Sequence, residues 1–83
     1  MTYRPQTSPL LNFQLEAERR GLKLLHDDLV HIRNMLHKIP HSERHGVLKR
    51  YLHLWTAMLA ECENETSAQN FGRATANRYL LEL

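Results

Sequence analysis

The stretch HKIPHSERHG, residues 37–46, holds three histidines, a lysine and an arginine, which are side chains that bind metals or phosphates. A zinc site needs three or four cysteine, histidine or carboxylate ligands that converge on one centre. Pro40 interrupts a helix between His37 and His41, and the only cysteine, Cys62, falls on a distant apolar row. We therefore expect no metal site here, and a solvated polar turn instead.

A second group with catalytic potential is His31, which follows Asp27 and Asp28 at the spacing of neighbours on one helix face. Such a pair can move protons, but an enzyme also needs a nucleophile or a substrate site. The serines fall at predicted helix starts, the cysteine falls on a core-facing row, and no glycine-rich phosphate loop occurs. The sequence predicts neither an enzyme nor a bound cofactor.

Basic side chains concentrate around the turn, where Glu43 is the only acid. Such a surface binds phosphates in some proteins and is only a solvated helix face in others, and the sequence leaves both interpretations open. Acids gather farther along, at Glu61, Glu63 and Glu65, and this polarity also suits docking to another protein. The basic residues are Arg33, Lys38, Arg44, Lys49 and Arg50.

The elements that position these groups follow from apolar spacing. A seven-residue repeat predicts one helix over about residues 9–38, with Ser8 as its N-cap and Pro9 in its first position. Gly21 is interpreted as interior to this helix, because the repeat keeps its phase across the glycine. Pro40 ends the helix. The repeat consists of Leu15, Leu22, Leu29 and Leu36 at one site, and Leu11, Leu25, Ile32 and Ile39 at the other.

Two further helices are predicted, over about residues 43–63 and 67–82. Ser42 is the expected cap of the former, and Thr66 or Ser67 of the latter. The helix over 43–63 carries two apolar rows, and one partner helix cannot cover both. These rows are Leu48, Leu52, Trp55, Leu59 and Cys62, and beside them Val47, Tyr51, Leu54 and Met58.

The predicted fold is all-α: an extended arm over residues 1–9, then one helical domain over 10–83, built as a long helical hairpin plus a shorter C-terminal helix. The three helices could close as a monomer or the hairpins could pair as a dimer, and we favour the homodimeric helix bundle. Because the second helix has more apolar surface than its hairpin partner covers, part of its face should meet a second copy or a different protein. Aromatic and methionine side chains enriched at interfaces would anchor the partner and nearby cations would steer it. The predicted partner-binding residues are Tyr51, Trp55, Met58, Arg44, Lys49 and Arg50.

Localisation follows from two further features of the sequence. No apolar run reaches the roughly 18 residues of a membrane span, and the first residues lack the apolar core of a secretory signal. A lone cysteine also agrees with a reducing compartment. The sequence predicts a cytoplasmic protein without membrane contact.

In length, in its capped heptad helices and in its lack of a catalytic or metal site, the chain resembles the small helical accessory proteins of bacteriophages, phage satellites and plasmids. The resemblance covers the whole chain and transfers no functional residue. It implies a protein that binds and redirects a larger complex, for example DNA-packaging or replication machinery, as satellite proteins do with a small terminase subunit. Plasmid-type dimeric hairpins that bind paired RNA loops imply the alternative, a nucleic-acid-binding helical dimer that uses the basic turn.

Overall fold

Helices dominate the computed structural model, which describes residues 9–83. The all-α prediction is confirmed, and this part of the chain holds no strand. The predicted Ser8 cap and residues 1–8 of the predicted arm lie outside the described residues. The helices are α1 (Pro9–Arg19), α2 (His26–Leu36), α3 (Arg44–Glu61) and α4 (Glu65–Leu81), and a single 3₁₀ turn, His41–Glu43, precedes α3.

The single helix predicted over 9–38 is wrong, because the chain breaks after Arg19. Gly21 has φ +84°, a left-handed conformation that favours glycine. Its N–H donates to the Glu18 carbonyl at 3.0 Å, and the Leu22 N–H donates to the Ala17 carbonyl at 2.9 Å. This is the Schellman arrangement, and the buried Leu22 and Ala17 supply the apolar contact that accompanies it. Gly21 therefore caps α1.

The other two helices match their predicted positions within two residues at each end, but their caps differ. Ser42 lies inside the 3₁₀ turn, and Glu43 occupies the N-cap position of α3 without a side-chain hydrogen bond. At α4 the cap is Asn64, whose Oδ1 accepts a hydrogen bond from the Ser67 N–H at 2.9 Å. The predicted caps Thr66 and Ser67 belong to the first turn of that helix.

The closest helix pair is α3 with α4, joined by the short connection 62–64. Small residues recur every fourth position on α4, at Ala68, Gly72 and Ala76, and all three are buried. A Cβ at Gly72 would lie only 2.5 Å from Trp55 Cδ1, so the indole fills the space that glycine leaves. The pair therefore approaches closely enough to enclose an aromatic side chain.

Helices α1 and α2 cover opposite parts of this pair, α1 against α3 and α2 against α4. Phe13 of α1 meets Tyr51 of α3 edge-on, with ring centroids 5.6 Å apart, and Ile32 of α2 is fully buried. Tyr51 and Trp55 are also fully buried within one chain. The expectation that these two aromatic residues face a partner is therefore wrong for this conformation.

Candidate partner-binding groove

A groove with a volume of about 470 Å³ opens between α1 and the start of α3. We call it the α1–α3 groove. Both walls are helical, and the 3₁₀ turn closes one end. Its volume lies in the range of pockets that bind small molecules or the side chains of a partner. It is lined by Asn12, Phe13, Glu16, Arg20, His41, Arg44, His45, Leu48, Lys49 and Leu52.

The floor of the groove is apolar. Leu48 and Leu52 lie one turn apart on α3, and Phe13 reaches in from α1. All three are more than nine-tenths buried, so they contribute edges to the floor and most of their surface to the core. The floor is therefore fixed by the same packing that holds the fold together.

The rim of the groove is basic on the α3 wall, whereas on the α1 wall the charges of Arg20 and Glu16 compensate each other. Arg20 stands on the α1 side, and His45 and Lys49 are exposed on the α3 side. Lys49 forms no ion pair within residues 9–83. The single acid of the lining, Glu16, is paired with Arg20 Nε at 3.0 Å and with Arg19 Nη1 at 3.3 Å.

Arg44 plays a structural part as well as contributing charge. Its Nε donates to the Ile39 carbonyl at 3.1 Å, and its Nη1 lies 3.5 Å from His41 Nδ1. The side chain thus bridges the segment after α2 to the first residue of α3. Of the lysine and arginine side chains that line the groove, only Lys49 makes no ion pair or side-chain hydrogen bond among the described residues. Its removal therefore disturbs no contact of this kind.

A buried polar cluster holds the connection between α1 and α2 onto α3 and α4, and so positions one wall of the groove. Gln69 is central to the cluster: its Oε1 accepts from Trp55 Nε1 at 2.9 Å and from the Lys23 N–H at 3.1 Å. Its Nε2 donates to the Gly21 carbonyl at 2.9 Å. One amide thereby fixes the glycine cap of α1 against α3.

Asp28 is the charged member of this cluster. Its oxygens accept from the Leu25 N–H and from Arg73 Nε, both at 2.9 Å, and from Asn77 Nδ2 at 3.1 Å. Arg73 also lies over the Trp55 ring, 5.2 Å from its centroid. The charge of this buried carboxylate is therefore compensated by an ion pair and by hydrogen bonds, and Asp28 does not line the α1–α3 groove.

The possible acid–base pair of His31 with an aspartate is not formed by Asp28, whose carboxylate is used by the partners above. His31 Nε2 is buried without a hydrogen-bond partner among the described residues. Tyr51, by contrast, donates its hydroxyl proton to Asn77 Oδ1 at 2.8 Å. Burial, and secondarily the charge of Asp28, raise the pKa of Tyr51 well above its usual value, while Arg73 opposes the shift.

The structure brings together only part of the predicted partner-binding set. Arg44 and Lys49 line the groove, whereas Tyr51 and Trp55 are in the core and Met58 is half-buried farther along α3. Arg50 is exposed, but it follows Leu48 by two residues and so points about 200° away from the groove floor. The basic residues of the turn are thus divided between two faces.

Sequence reasoning missed Phe13 and Arg20 as parts of a site. Both come to the groove because α1 ends at Gly21 and turns back onto α3. The signal was present in the sequence: a glycine follows the basic pair Arg19 and Arg20, and Leu22 and Ala17 stand at the two positions that touch across a Schellman cap. This signal predicts the end of α1, although not the helix against which α1 packs.

Within residues 9–83, no three histidine, cysteine, aspartate or glutamate side chains come together as a metal ion would require. None of the described helices has the length and apolar character to cross a bilayer. No protein-family model, no curated protein and no solved structure matches the chain.

Proposed function

We propose that the protein is a non-enzymatic interaction module that binds a segment of a larger partner protein in the α1–α3 groove and thereby modulates or redirects that partner. The observation that carries the proposal is the combination of an apolar floor with a basic rim on the α3 wall. Pockets of this kind use apolar area for affinity and a few polar groups for orientation. The resemblance to small phage and plasmid proteins implies an accessory role, and we include this role in the proposal.

The same groove favours a protein over a nucleic acid as its occupant. Proteins that bind single strands stack bases on exposed aromatic rings beside a basic path. Here the aromatic residues near the basic rim, Phe13 and Tyr51, are buried, and Glu16 stands in the groove wall. Arg50, the cation that would extend the path, points to another face. The alternative is a helical dimer that binds nucleic acid through the basic turn. An experiment must distinguish this alternative from the binding of a protein in the groove.

Photo-crosslinking tests the proposal directly. A benzoylphenylalanine placed at His45, on the groove rim, should capture a protein from an extract of the native host, prepared in parallel with and without nuclease treatment. The matched control places the same group at His53, which is exposed on α3 but does not line the groove. The captured protein is then purified and titrated calorimetrically against the wild type and against Lys49→Glu.

The expected result is an adduct specific to position 45 and a purified partner whose affinity falls at least about tenfold with Lys49→Glu. An adduct that disappears with nuclease treatment would establish the nucleic-acid alternative. The absence of any adduct at position 45, or equal capture at both positions, would overturn the proposal.

The homodimer stays a prediction, but the apolar surface that motivated it is partly covered within one chain. The apolar row through Val47 and Tyr51 was expected to need a second chain, whereas Tyr51 is covered within this one. Light scattering coupled to size exclusion measures the mass in solution. A mass near 9.8 kDa at all protein concentrations would contradict the dimer.

A further inference from the structure

We infer that the occupant of the α1–α3 groove is an acidic amphipathic helix of the partner protein, an inference that rests on the proposed function. The charge of the groove is the first reason. Its arginines and lysine, Arg20, Arg44 and Lys49, against the single carboxylate of Glu16, give a net charge of +2, and two histidines stand beside them. The whole chain also carries a net +2 with histidines neutral, so the remainder is neutral overall.

The placement of the cations defines where the partner's acids lie. Arg20 is on one wall, and His45 and Lys49 are on the other, with the leucine floor between them. Because Arg20 is already paired with Glu16, a complementary segment carries an apolar stripe with carboxylates along the side that faces α3. Paired charges across such a rim determine orientation and association rate more than affinity, while the apolar stripe contributes most of the binding energy.

The shape of the groove selects a helix. Both walls are helices, and residues 9–83 offer no strand edge to which an extended peptide could add. Helix-in-groove recognition places apolar side chains at positions i, i+3 or i+4, and i+7 against such a floor. From Arg44 to Leu52 the α3 wall rises about 12 Å, which corresponds to between two and three turns of a bound helix.

An unbiased selection provides the first test. A phage-displayed library of random peptides of about 16 residues, roughly 24 Å long as a helix, is panned against the full chain, without counter-selection against any groove variant. We expect enriched sequences with apolar residues at helical spacing and aspartate or glutamate beside them. Since Lys49 is exposed and forms no ion pair among the described residues, circular dichroism should show the Lys49→Glu variant folded like the wild type.

Matched variants then measure the affinity of the most enriched peptide by fluorescence anisotropy. Replacing its acids by the corresponding amides, or scrambling its order at constant composition, should each weaken binding about tenfold or more. Lys49→Glu should do the same. Arg50→Glu makes the same size of charge change one residue away, on a face that does not line the groove, and should leave the affinity within about twofold.

The outcomes separate the two levels of the proposal. Enriched peptides that are neutral or basic, yet lose affinity with Lys49→Glu, would overturn the acidic helix and keep the groove as a protein-binding site. Equal losses with Lys49→Glu and Arg50→Glu would show a general charge effect and overturn the inference. A single-stranded oligonucleotide that binds more tightly than any selected peptide, and depends on Lys49, would overturn both. Self-association abolished by Lys49→Glu would identify a second copy as the occupant and overturn the acidic partner helix.

Discussion

Helix α3 makes two contacts of different quality, one with α4 and one with α1. Against α4 it encloses Trp55 over a glycine and satisfies the buried polar groups there. Against α1 it meets Phe13 through Tyr51 and leaves a groove of about 470 Å³. The difference teaches that the two sides of one helix suit different tasks, because a filled interface has no room for a ligand and an open one contributes less to folding. The proposed recognition uses the open side.

Truncating Trp55 tests this separation with the largest expected effect. Trp55→Ala leaves a cavity in the α3–α4 contact and removes the donor to Gln69, and losses of about 3–5 kcal/mol are typical of such changes. That approaches the whole stability of a small domain. Lys49→Ala, on the groove side of the same helix, should change the unfolding free energy by less than about 0.5 kcal/mol. Urea unfolding followed by circular dichroism measures both, and similar midpoints for the two variants would contradict the comparison.

Adding one methyl group to the α3–α4 contact should also destabilise the protein. At Gly72 the new Cβ would stand 2.5–2.9 Å from three atoms of the Trp55 indole, and overpacking of this kind costs about 1–3 kcal/mol. Gly72→Ala is therefore expected to lower the unfolding free energy despite the better helix propensity of alanine.

Gly46 supplies the matched control, because it also lies in a helix, α3, and a Cβ added there would meet no atom of another element within 4 Å. Gly46→Ala should stabilise the protein by up to about 1 kcal/mol. We therefore expect the two glycine substitutions to change the stability in opposite directions. If both raise the thermal midpoint, the α3–α4 contact is looser than the position of the Trp55 indole indicates.

Tyr51 gives the α3–α4 side a pH dependence. Because burial raises its pKa in the folded state, the phenol stays protonated after an unfolded chain would begin to ionise near pH 10. The stabilisation is complete below about pH 10 and is lost as pH rises above it, with a slope of at most about 1.4 kcal/mol per pH unit.

Tyr51→Phe removes both this slope and the hydrogen bond to Asn77, which is worth about 1 kcal/mol. The variant should therefore be less stable than the wild type at neutral pH, and the difference should shrink above pH 10. Chemical unfolding at a series of pH values measures the difference. A constant gap across that range would contradict the burial of the phenol.

Apolar spacing in the sequence was enough to predict that the chain forms α-helices and where most of these helices begin and end, because the spacing reports which face of a helix is buried. It did not predict the break at Gly21, since a repeat of seven continues in phase whether or not the chain is helical between Leu15 and Leu22. The decisive signal is local: the glycine, together with the Leu22 and Ala17 positions that touch across its cap. A local stop signal of this kind outweighs a repeat that runs through it.

The sequence placed the aromatic residues Tyr51 and Trp55 on the correct helix. The expected neighbour of these residues was a partner protein, whereas they are covered within this chain. Ala68, Gly72 and Ala76 form a row of small residues on α4, and such a row lets α3 approach until Tyr51 and Trp55 are covered. Propensity and periodicity carry no information on the distance between two helices. That distance decides whether an apolar row is core or interface, and so Tyr51 and Trp55 lie in the core although the all-α prediction is confirmed.

The smallest effect is expected at an exposed contact that joins the connection after α1 to the start of α4. Lys23 Nζ lies 2.8 Å from Glu65 Oε1, and this hydrogen bond, with the charge of Lys23, lowers the pKa of Glu65. The contribution is present above about pH 4.3 and is lost as pH falls through the folded-state pKa. Because both side chains are about two-thirds exposed, solvent and salt screen most of it. Glu65→Gln should therefore lower the unfolding midpoint slightly at pH 7 and not at all near pH 3.

A double-mutant cycle with Lys23→Gln isolates the pair from the favourable position of Glu65 in the first turn of α4. Its coupling should vanish in about 1 M salt, and a coupling as large as the Tyr51→Phe effect would mean that the α1–α2 connection is held more by this pair than by Gln69 and Asp28.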